Sequence, residues 1–595
     1  MSERSWRDAL RRLGAAAVAC DLGDESIYLA EELVAQAWMM GESERLALAL
    51  LVLAVSAAER QGSTRLPLRG DALGKRVGEL CRAAELAVDP AAVVRQIRAL
   101  CADPRPGLVS LIGRPGEDRP LIATSSAVAT HRLFCCEERL AAFVRERAAA
   151  PSVPFIESSL DQVARWPVVL SDEQRTAVAF AASRALAVVS GGPGTGKTAI
   201  CAALCRALVR SGTRPSAIFL AAPTGKAAQR LGASVKGALA GAEEEADRRL
   251  AAELPEARTL HRLLGYDPDS GRFRHHAGAP LRAEVVIVDE ASMVDLVLME
   301  RLARALAPAT RLILFGDADQ LPSVEAGAVL RDLAALGACR LTKSYRMDEK
   351  DPAGRAILEA ARSVRAGKVG PWPAADPAPP HRLVDAWFES RIAGGGRWAE
   401  LARAAAELDD ARGEDIAELA RHLESSRVLA VTRRLRRGTE ALNGLFHRRA
   451  AAALGLQTSR FEFLPGEPVV VRENDHARGL YNGDVGLVAA AGHGAGGLRA
   501  VFSGQDGTWR VFPLAALRPR LELAYALTVH QSQGSEYDHV ALVLPDADMP
   551  LATRELVYTA LTRARRSIAL FGSAEVLRAA VARSAERFSG LAAGV

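Results

Sequence analysis

An apolar run, Ala187-Val188-Val189-Ser190, leads directly into Gly191-Gly192-Pro193-Gly194-Thr195-Gly196-Lys197-Thr198, and an amphipathic run, Ile200-Cys201-Ala202-Ala203-Leu204, follows. A strand, a glycine-rich loop ending in Gly-Lys-Thr and a helix in immediate succession are what a phosphate-binding loop requires. The glycines let backbone N–H groups turn inward around phosphate oxygens, and the start of the helix adds a favourable dipole. Lys197 is expected to reach the β- and γ-phosphates of a nucleoside triphosphate, and Thr198 to hold Mg²⁺. A chance glycine turn would explain neither the strand before it nor the helix after it.

With 595 residues the chain has room for about three to five domains. Its apolar fraction of 49% and charged fraction of 25% suit a globular protein with sizeable cores. The net charge is only +5, so any nucleic-acid footprint must be local. Lysine is scarce beside arginine, and where it persists inside a motif a compact ammonium is the group needed. The eight cysteines include no C-x-x-C pair, which argues against a metal cluster and for a reducing compartment. Met1–Trp6 has no signal-peptide core, and the apolar run Leu46–Ala58 is shorter than the ~20 residues that cross a bilayer. That run reads as a buried helix, and the expected location is cytoplasmic, with no membrane partner.

Helical periodicity dominates residues 1–150, broken by one expected hairpin from Leu108–Ile112 through Arg114–Glu117 to Leu121-Ile122. No catalytic constellation occurs there, and the segment reads as a mainly helical domain for docking a partner. From about Leu170, short β-branched runs (Leu186–Ser190, Ala217–Ala221, Glu284–Val288, Arg311–Phe315) alternate with helical segments, the pattern of a parallel sheet covered on both faces. This predicts an α/β domain over 151–345. A proline-rich stretch, Gly370 to Pro380, reads as a long loop. A second α/β domain is expected over 346–595, interrupted at about 460–520 by short strands forming a small inserted barrel.

Val285-Val286-Ile287-Val288 ends in Asp289-Glu290, a buried strand delivering two carboxylates. Downstream of a phosphate-binding loop this suits ATP hydrolysis, with Asp289 holding Mg²⁺ and Glu290 activating the attacking water. Leu312–Phe315 runs into Gly316-Asp317-Ala318-Asp319-Gln320, placing Gln320 where it can sense the γ-phosphate, while Asp317 and Asp319 read equally as turn residues.

With these motifs the chain resembles superfamily 1 helicases, which implies two RecA-like cores and an SH3-like fold for the insertion. In that resemblance Gln174 of Leu170-Ser171-Asp172-Glu173-Gln174 reads the adenine. Ala222-Pro223-Thr224-Gly225-Lys226 matches the first DNA-contacting motif. Ser344-Tyr345-Arg346 and Tyr558–Arg565 supply two arginines, Arg346 and Arg563, that reach the γ-phosphate. An arginine in that position is worth roughly 10³–10⁵ in rate. Within the superfamily the chain most resembles the RecD family, the alpha subunits of exodeoxyribonuclease V. Thr259–Gly265, Asn474-Asp475 with Gly479–Gly486, and Thr528–Glu536 carry this, and the match spans roughly residues 160 to 575.

The resemblance implies an ATP- and Mg²⁺-dependent motor that moves 5′ to 3′ on single-stranded DNA at DNA ends. Its implied partners are a helicase-nuclease beta subunit and a scaffold gamma subunit, which together process double-strand breaks. It also implies DNA contacts at Pro223, Thr224, Lys226, Thr259, His261, Asn482, Thr528 and His530, residue types suited to phosphate contact and stacking. Arg433-Arg434-Leu435-Arg436-Arg437 reads equally as a phosphate footprint and as a solvated turn. The one acidic triplet with nuclease spacing, Asp348-Glu349-Lys350, sits in a polar stretch, so cutting is expected of a partner. A stand-alone RecD-like helicase and an ATP-switch scaffold without motor activity are the alternatives; no relaxase-like cluster of tyrosine and histidines occurs.

Overall fold

The computed structural model describes residues 5–20, 22–104, 106–153, 155–163, 169–345, 352–370, 376–405, 413–456, 462–475, 477–490, 497–504 and 508–594. Arg346, Asp348-Glu349-Lys350, residues 371–375 of the proline-rich stretch and most of the Gly492–Gly497 turn lie outside them.

The apolar run Leu46–Ala58 lies within helix Glu42–Arg60, where only Ser56 among those residues escapes full burial. Such all-round apolarity needs cover on several sides. Helices Ser5–Ala15, Asp24–Gln36, Ala72–Ala83 and Pro90–Ala102 provide it. The expected hairpin is replaced by another arrangement. Leu108 to Leu111 form a tight turn, and Ile112-Gly113 pairs parallel with Leu121–Ala123, whose antiparallel partner is Ala127–Thr130. The turn is closed by Leu111 and Ile112 N–H groups donating to the Leu108 carbonyl, and the preceding Gly107 packs so tightly on Trp38 that a Cβ there would lie 1.8 Å from its carbonyl oxygen.

The core of this N-terminal unit extends from Trp6 to Val128. Helix His131–Ala149, expected to go with it, packs instead on the first α/β unit, where Leu133, Leu140 and Val144 join the cluster holding Met299 and Leu302.

That unit is a six-stranded parallel sheet in the order Cys339–Leu341, Leu186–Gly191, Arg311–Gly316, Val285–Val288, Ile218–Ala222, Arg258–Thr259. Register pairs Val188 with Leu314, Leu314 with Val288, and Val288 with Ala221. The strands therefore end together, and the glycine-rich loop, Asp317, Asp289 and Thr224 emerge along one edge, where ligands bind in open α/β sheets. The second unit has four parallel strands in the order Ala526–Thr528, Ser426–Ala430, Tyr537–Val543, Ala564–Phe571. Between helix Thr439–Leu454 and its return at Leu523 the chain forms a five-stranded antiparallel sheet around Val469, Val471, Val488 and Phe502.

Residues 583–591 run back across the molecule. Ala585 N–H donates to Glu555, Arg587 donates to the carbonyls of Glu325 and Gly327, and the Phe588 carbonyl accepts from Thr64 N–H. Gly590 N–H then donates to Glu137 at 2.8 Å, and Leu591 is buried in the first α/β core.

The helix after the glycine-rich loop is fastened by charge. Arg206, 1% exposed, donates through Nε and Nη2 to the two oxygens of Asp247 at 2.9 and 2.7 Å, and Arg210 adds two more bonds. Burial opposes ionisation of Asp247, but the hydrogen bonds from Arg210 and Arg206 prevail and hold its pKa at about 2. Its contribution to stability is therefore complete above the usual 3.8 and is lost as pH falls through about 2. Asp247→Ala, which leaves Arg206 charged and buried, is expected to cost about 3–5 kcal/mol, read as a fall in thermal unfolding midpoint at neutral pH.

Candidate nucleotide and nucleic-acid site

The loop between Gly191 and Lys197 is shaped by close approaches. A Cβ on Gly191 would lie 2.7 Å from Thr195 Oγ1, and one on Gly196 would lie 2.3 Å from Gln174 Nε2. Gly194 and Gly196 have φ of 74° and 82°, open to glycine at little cost. The helix Lys197–Arg210 starts at Gly196 with no side-chain cap, which leaves its first N–H groups for a ligand. Lys197 Nζ donates to the carbonyls of Gly191 and Gly192 at 2.6 and 3.0 Å, and Thr195 Oγ1 donates to Gly192. Gln174 shares a capping box with Ser171 and donates to the Thr195 carbonyl, so the predicted adenine reader abuts the loop. Pro193 accepts from Ser344 Oγ and Gly194 from Tyr345 N–H, which brings the segment before Arg346 onto the loop.

Strand Val285–Val288 is buried along its length and delivers Asp289 and Glu290, themselves 6% and 8% exposed. Burial pushes the Asp289 carboxyl well above its usual range, Glu290 adds to this, and Lys197 and Arg230 oppose it. A dry carboxylate beside an ammonium is a natural cation ligand. Glu290 has φ 52° and ψ 38°, an uncommon conformation for a side-chain-bearing residue that turns it out of the strand. Arg230 Nη2 donates to it at 3.0 Å, and Arg230 Nη1 donates to the Gly534 carbonyl and to Glu536 at 3.1 and 3.2 Å. One guanidinium therefore ties the first core's acid to the second core.

Around Gln320 the two cores interlock. Arg563 Nη2 donates to Gln320 Oε1 at 2.9 Å, and Gln320 Nε2 donates to Asp317 at 3.0 Å. Tyr558 OH donates to the same Asp317 oxygen at 3.1 Å. Leu321 N–H donates to Thr559 Oγ1, and Gln533 Nε2 to the Leu321 carbonyl. Tyr558 also borders the loop, since a Cβ on Gly192 would come within 3.1 Å of its hydroxyl. Asp317 is thus no mere turn residue: it is buried and shared by both cores. Asp319, whose N–H donates to Asp317 Oδ1, makes the turn.

The predicted nucleic-acid residues fall into three places. Lys226 and Thr259 share a polar cleft of about 230 Å³ with Arg262, Tyr481, Asp484 and Arg510, between the first core and the inserted sheet. Arg262 hydrogen-bonds the Tyr481 hydroxyl and sits over its ring, 4.8 Å from the centroid. Asn482 is exposed on the same turn, its N–H bonded to Asn474 Oδ1, and Pro223 and Thr224 lead into the helix bearing Lys226, with Thr224 as its cap. Burial pushes the Asp484 carboxyl up to about 6 against the pull of Arg510 and Lys226. Thr528 and His530 lie on the second core, and burial, helped by Arg587, lowers the His530 pKa to about 4, so it is neutral at pH 7. His261 stands apart from the cleft, against Tyr266 and Phe273. In the arginine run, Arg433 pairs with Glu440 and Glu522, and Arg436 and Arg437 with Asp546.

The AAA domain family model matches residues 174–326, and the UvrD-like helicase C-terminal domain model matches 523–571. The RecBCD enzyme subunit RecD of Mycolicibacterium smegmatis is 40% identical over 71% of this chain and 74% of its own length. The chain belongs to the RecD family of DNA helicases. The Haemophilus influenzae RecBCD enzyme subunit RecD is 31% identical over 79% of this chain and 80% of its own. The ATP-dependent RecD2 DNA helicase of Deinococcus radiodurans is 34% identical over 80% of this chain but 60% of its own. Among solved structures, Pif1 helicase from Candida albicans covers 70% of this RecD-family chain, and 96% of that chain is covered, at 18% identity and a TM-score of 0.39.

Sequence reasoning passed over Arg230, Asp317, Tyr558, Thr559, Gln533 and Tyr481. Arg230 had a signal, standing four residues beyond Lys226 and so on the same helix face. Arg230→Ala is expected to lower DNA-stimulated ATP turnover about tenfold or more, the equivalent of about 1.4 kcal/mol, with little change in KM for ATP. Steady-state ATPase kinetics on single-stranded DNA check this.

Proposed function

We propose that this chain is the ATP-driven motor subunit of a RecBCD-type complex, moving 5′ to 3′ on single-stranded DNA beside helicase-nuclease beta and scaffold gamma subunits. The observation that carries the motor is the bond from Arg563 of the second core to Gln320 of the first, at the mouth of the phosphate-binding loop. A contact of that kind makes the nucleotide site sensitive to how the cores sit, and the cores to what the site holds.

The residues fit a nucleoside triphosphate and Mg²⁺: the loop is a cradle that added Cβ atoms would fill, and Asp289 is a buried carboxylate near Lys197. The loop N–H groups and Lys197 bind phosphates, and Gln174 borders the base. Thr198 and Asp289 hold Mg²⁺, which when bound offsets phosphate charge. Glu290 accepts the proton of the attacking water once Arg230 releases it. Gln320 and Arg563, with Arg346 by family resemblance, answer charge at the γ-phosphate. The Lys226–Tyr481 cleft, with Pro223, Thr224, Thr259 and Asn482 on one side and Thr528 and His530 on the other core, takes the strand. Neutral His530 suits a stacking or hydrogen-bonding contact rather than a charge contact. The inserted sheet reads as SH3-like and the N-terminal unit as the docking domain.

ATPase of the purified chain should rise at least about tenfold with single-stranded DNA, and Lys197→Gln should abolish it. Turnover indifferent to DNA would instead favour an ATP-switch scaffold. Strand displacement should proceed from a 5′ tail and not from a 3′ tail. Tyr481→Ala should weaken single-strand binding by about 1–3 kcal/mol, the worth of one base stacked on an aromatic ring, measured by fluorescence anisotropy.

A further inference from the structure

Beyond the cleft just described, a second cationic groove lies against the short hairpin Tyr266–Asp267/Arg272–Phe273. It encloses about 300 Å³ between Arg272, Phe273, His275 and His276 of the hairpin and Arg301 and Arg304 of helix Leu296–Arg304. Among the described residues no carboxylate lines it.

Two acids adjoin it: Asp267, the cross-strand partner of Arg272, and Glu300, which is 1% exposed and beneath the surface. The closest partner of Glu300 is Arg139 at 2.9 Å, while Arg304 and Arg301 stand 3.7 and 3.9 Å away. Those last two distances exceed hydrogen-bond reach, so Glu300 balances charge without consuming the donors of Arg301 or Arg304. With Arg139 as the hydrogen-bonded partner of Glu300, and Asp267 bonded to Ser270 and Asp269 N–H, the guanidiniums of Arg272, Arg301 and Arg304 line the groove with no carboxylate among them. Arg301 and Arg304 are 46% and 38% exposed, accessible to a ligand. His276 Nδ1 accepts from Gly278 N–H, which puts the ring proton on Nε2 and makes that nitrogen a donor. The polar side chains lining the groove are therefore three guanidiniums and two imidazoles, of which His276 offers Nε2–H, donors that match phosphodiester oxygens.

The hairpin carries an aromatic cluster, with Tyr266 and Phe273 centroids 5.0 Å apart and His261 against both. The two grooves share no lining residue: Thr259 and Arg262, before the hairpin in sequence, line the first, and Arg272 and Phe273 the second. The two carboxylates of the hairpin turn, Asp267 and Asp269, keep phosphate off the tip; Asp267 is occupied with Ser270 and Asp269 N–H.

We propose that the groove between the hairpin and helix Leu296–Arg304 binds the phosphate backbone of the DNA strand that the Lys226–Tyr481 cleft does not hold. The proposal rests on the helicase reading. It makes Arg272, Arg301 and Arg304 contacts of forked DNA, with no part in binding a lone single strand.

The test compares the full chain with a triple variant, Arg272→Gln, Arg301→Gln and Arg304→Gln, and with Arg272→Gln alone, which leaves the surroundings of Glu300 intact. The probes are a single-stranded oligonucleotide, a duplex with a 5′ tail only, and a fork carrying both tails. The triple variant should keep single-strand affinity and single-strand-stimulated ATPase within about twofold, while its affinity for the fork falls about tenfold or more. The slope of log affinity against log salt on the fork should shrink by about 2, as expected when about three phosphate contacts are lost at roughly 0.7 each. Arg272→Gln should give a smaller loss of the same kind. A deficit on the fork that disappears on the 5′-tailed duplex locates the contact on the displaced tail; a deficit on both locates it on the duplex arm. Unchanged fork binding, or equal losses on fork and single strand, overturns the proposal. A parent chain whose ATPase ignores DNA overturns the helicase reading itself and is seen before any variant is made.

Discussion

Arg563 crosses from one α/β core to the other and ends, 3% exposed, on the amide of Gln320. Removing charge from water is costly unless hydrogen bonds replace what is lost. Arg563 meets this with the carbonyls of Thr559 and Ser535 and with Gln320. Only the last belongs to the first core, so the arrangement is complete only when the cores are closed. The same holds for Asp317, which receives Gln320 from its own core and Tyr558 from the other. In the proposed function a nucleotide that drew Arg563 to its phosphate would compete directly with this seam, and so would couple the site to the packing of two domains.

Arg230 extends the seam toward the strand-binding side. It stands on the helix that starts at Gly225, whose first turn carries Lys226, and it holds Glu290 and Glu536 together. Under the proposed function, a strand that displaced that helix would alter the surroundings of Glu290 without touching the acid. Glu290 in turn is presented by a strained backbone rather than by the regular strand before it.

Features written in consecutive residues were legible: the strand, loop and helix around Lys197, the buried strand before Asp289, and the apolar helix at Leu46–Ala58 all formed as read. Features depending on distant partners were not. Arg563 and Gln320 are 243 residues apart, and nothing local to either announces the other. Asp317 reads as a turn because Asp319 does make one; its second role requires Tyr558. The pairing of the arginine run at 433–437 with Asp546 and Glu522 was not legible either. Leu108–Ile112 had the composition of a strand, but Leu111 and Ile112 N–H groups close on the Leu108 carbonyl as a turn. Helix His131–Ala149 could be read as a helix, yet its allegiance to the first core depended on packing against residues more than a hundred positions away.

The return of residues 583–591 has a consequence for how the molecule is built. Gly590 and Ser589 bond to Glu137, and Gly590 lies 453 residues beyond it. At about 5–20 residues per second, a ribosome takes roughly half a minute to a minute and a half to cover that distance. Throughout that interval, among the described residues, helix His131–Ala149 has Thr64 and Arg65 for the Glu137 carboxylate, and the apolar position that Leu591 will fill stands open. The first core is thus finished by a segment made after the second, and a nascent chain stalled before it carries an unfilled apolar site that a chaperone, or a neighbouring nascent chain, is free to occupy.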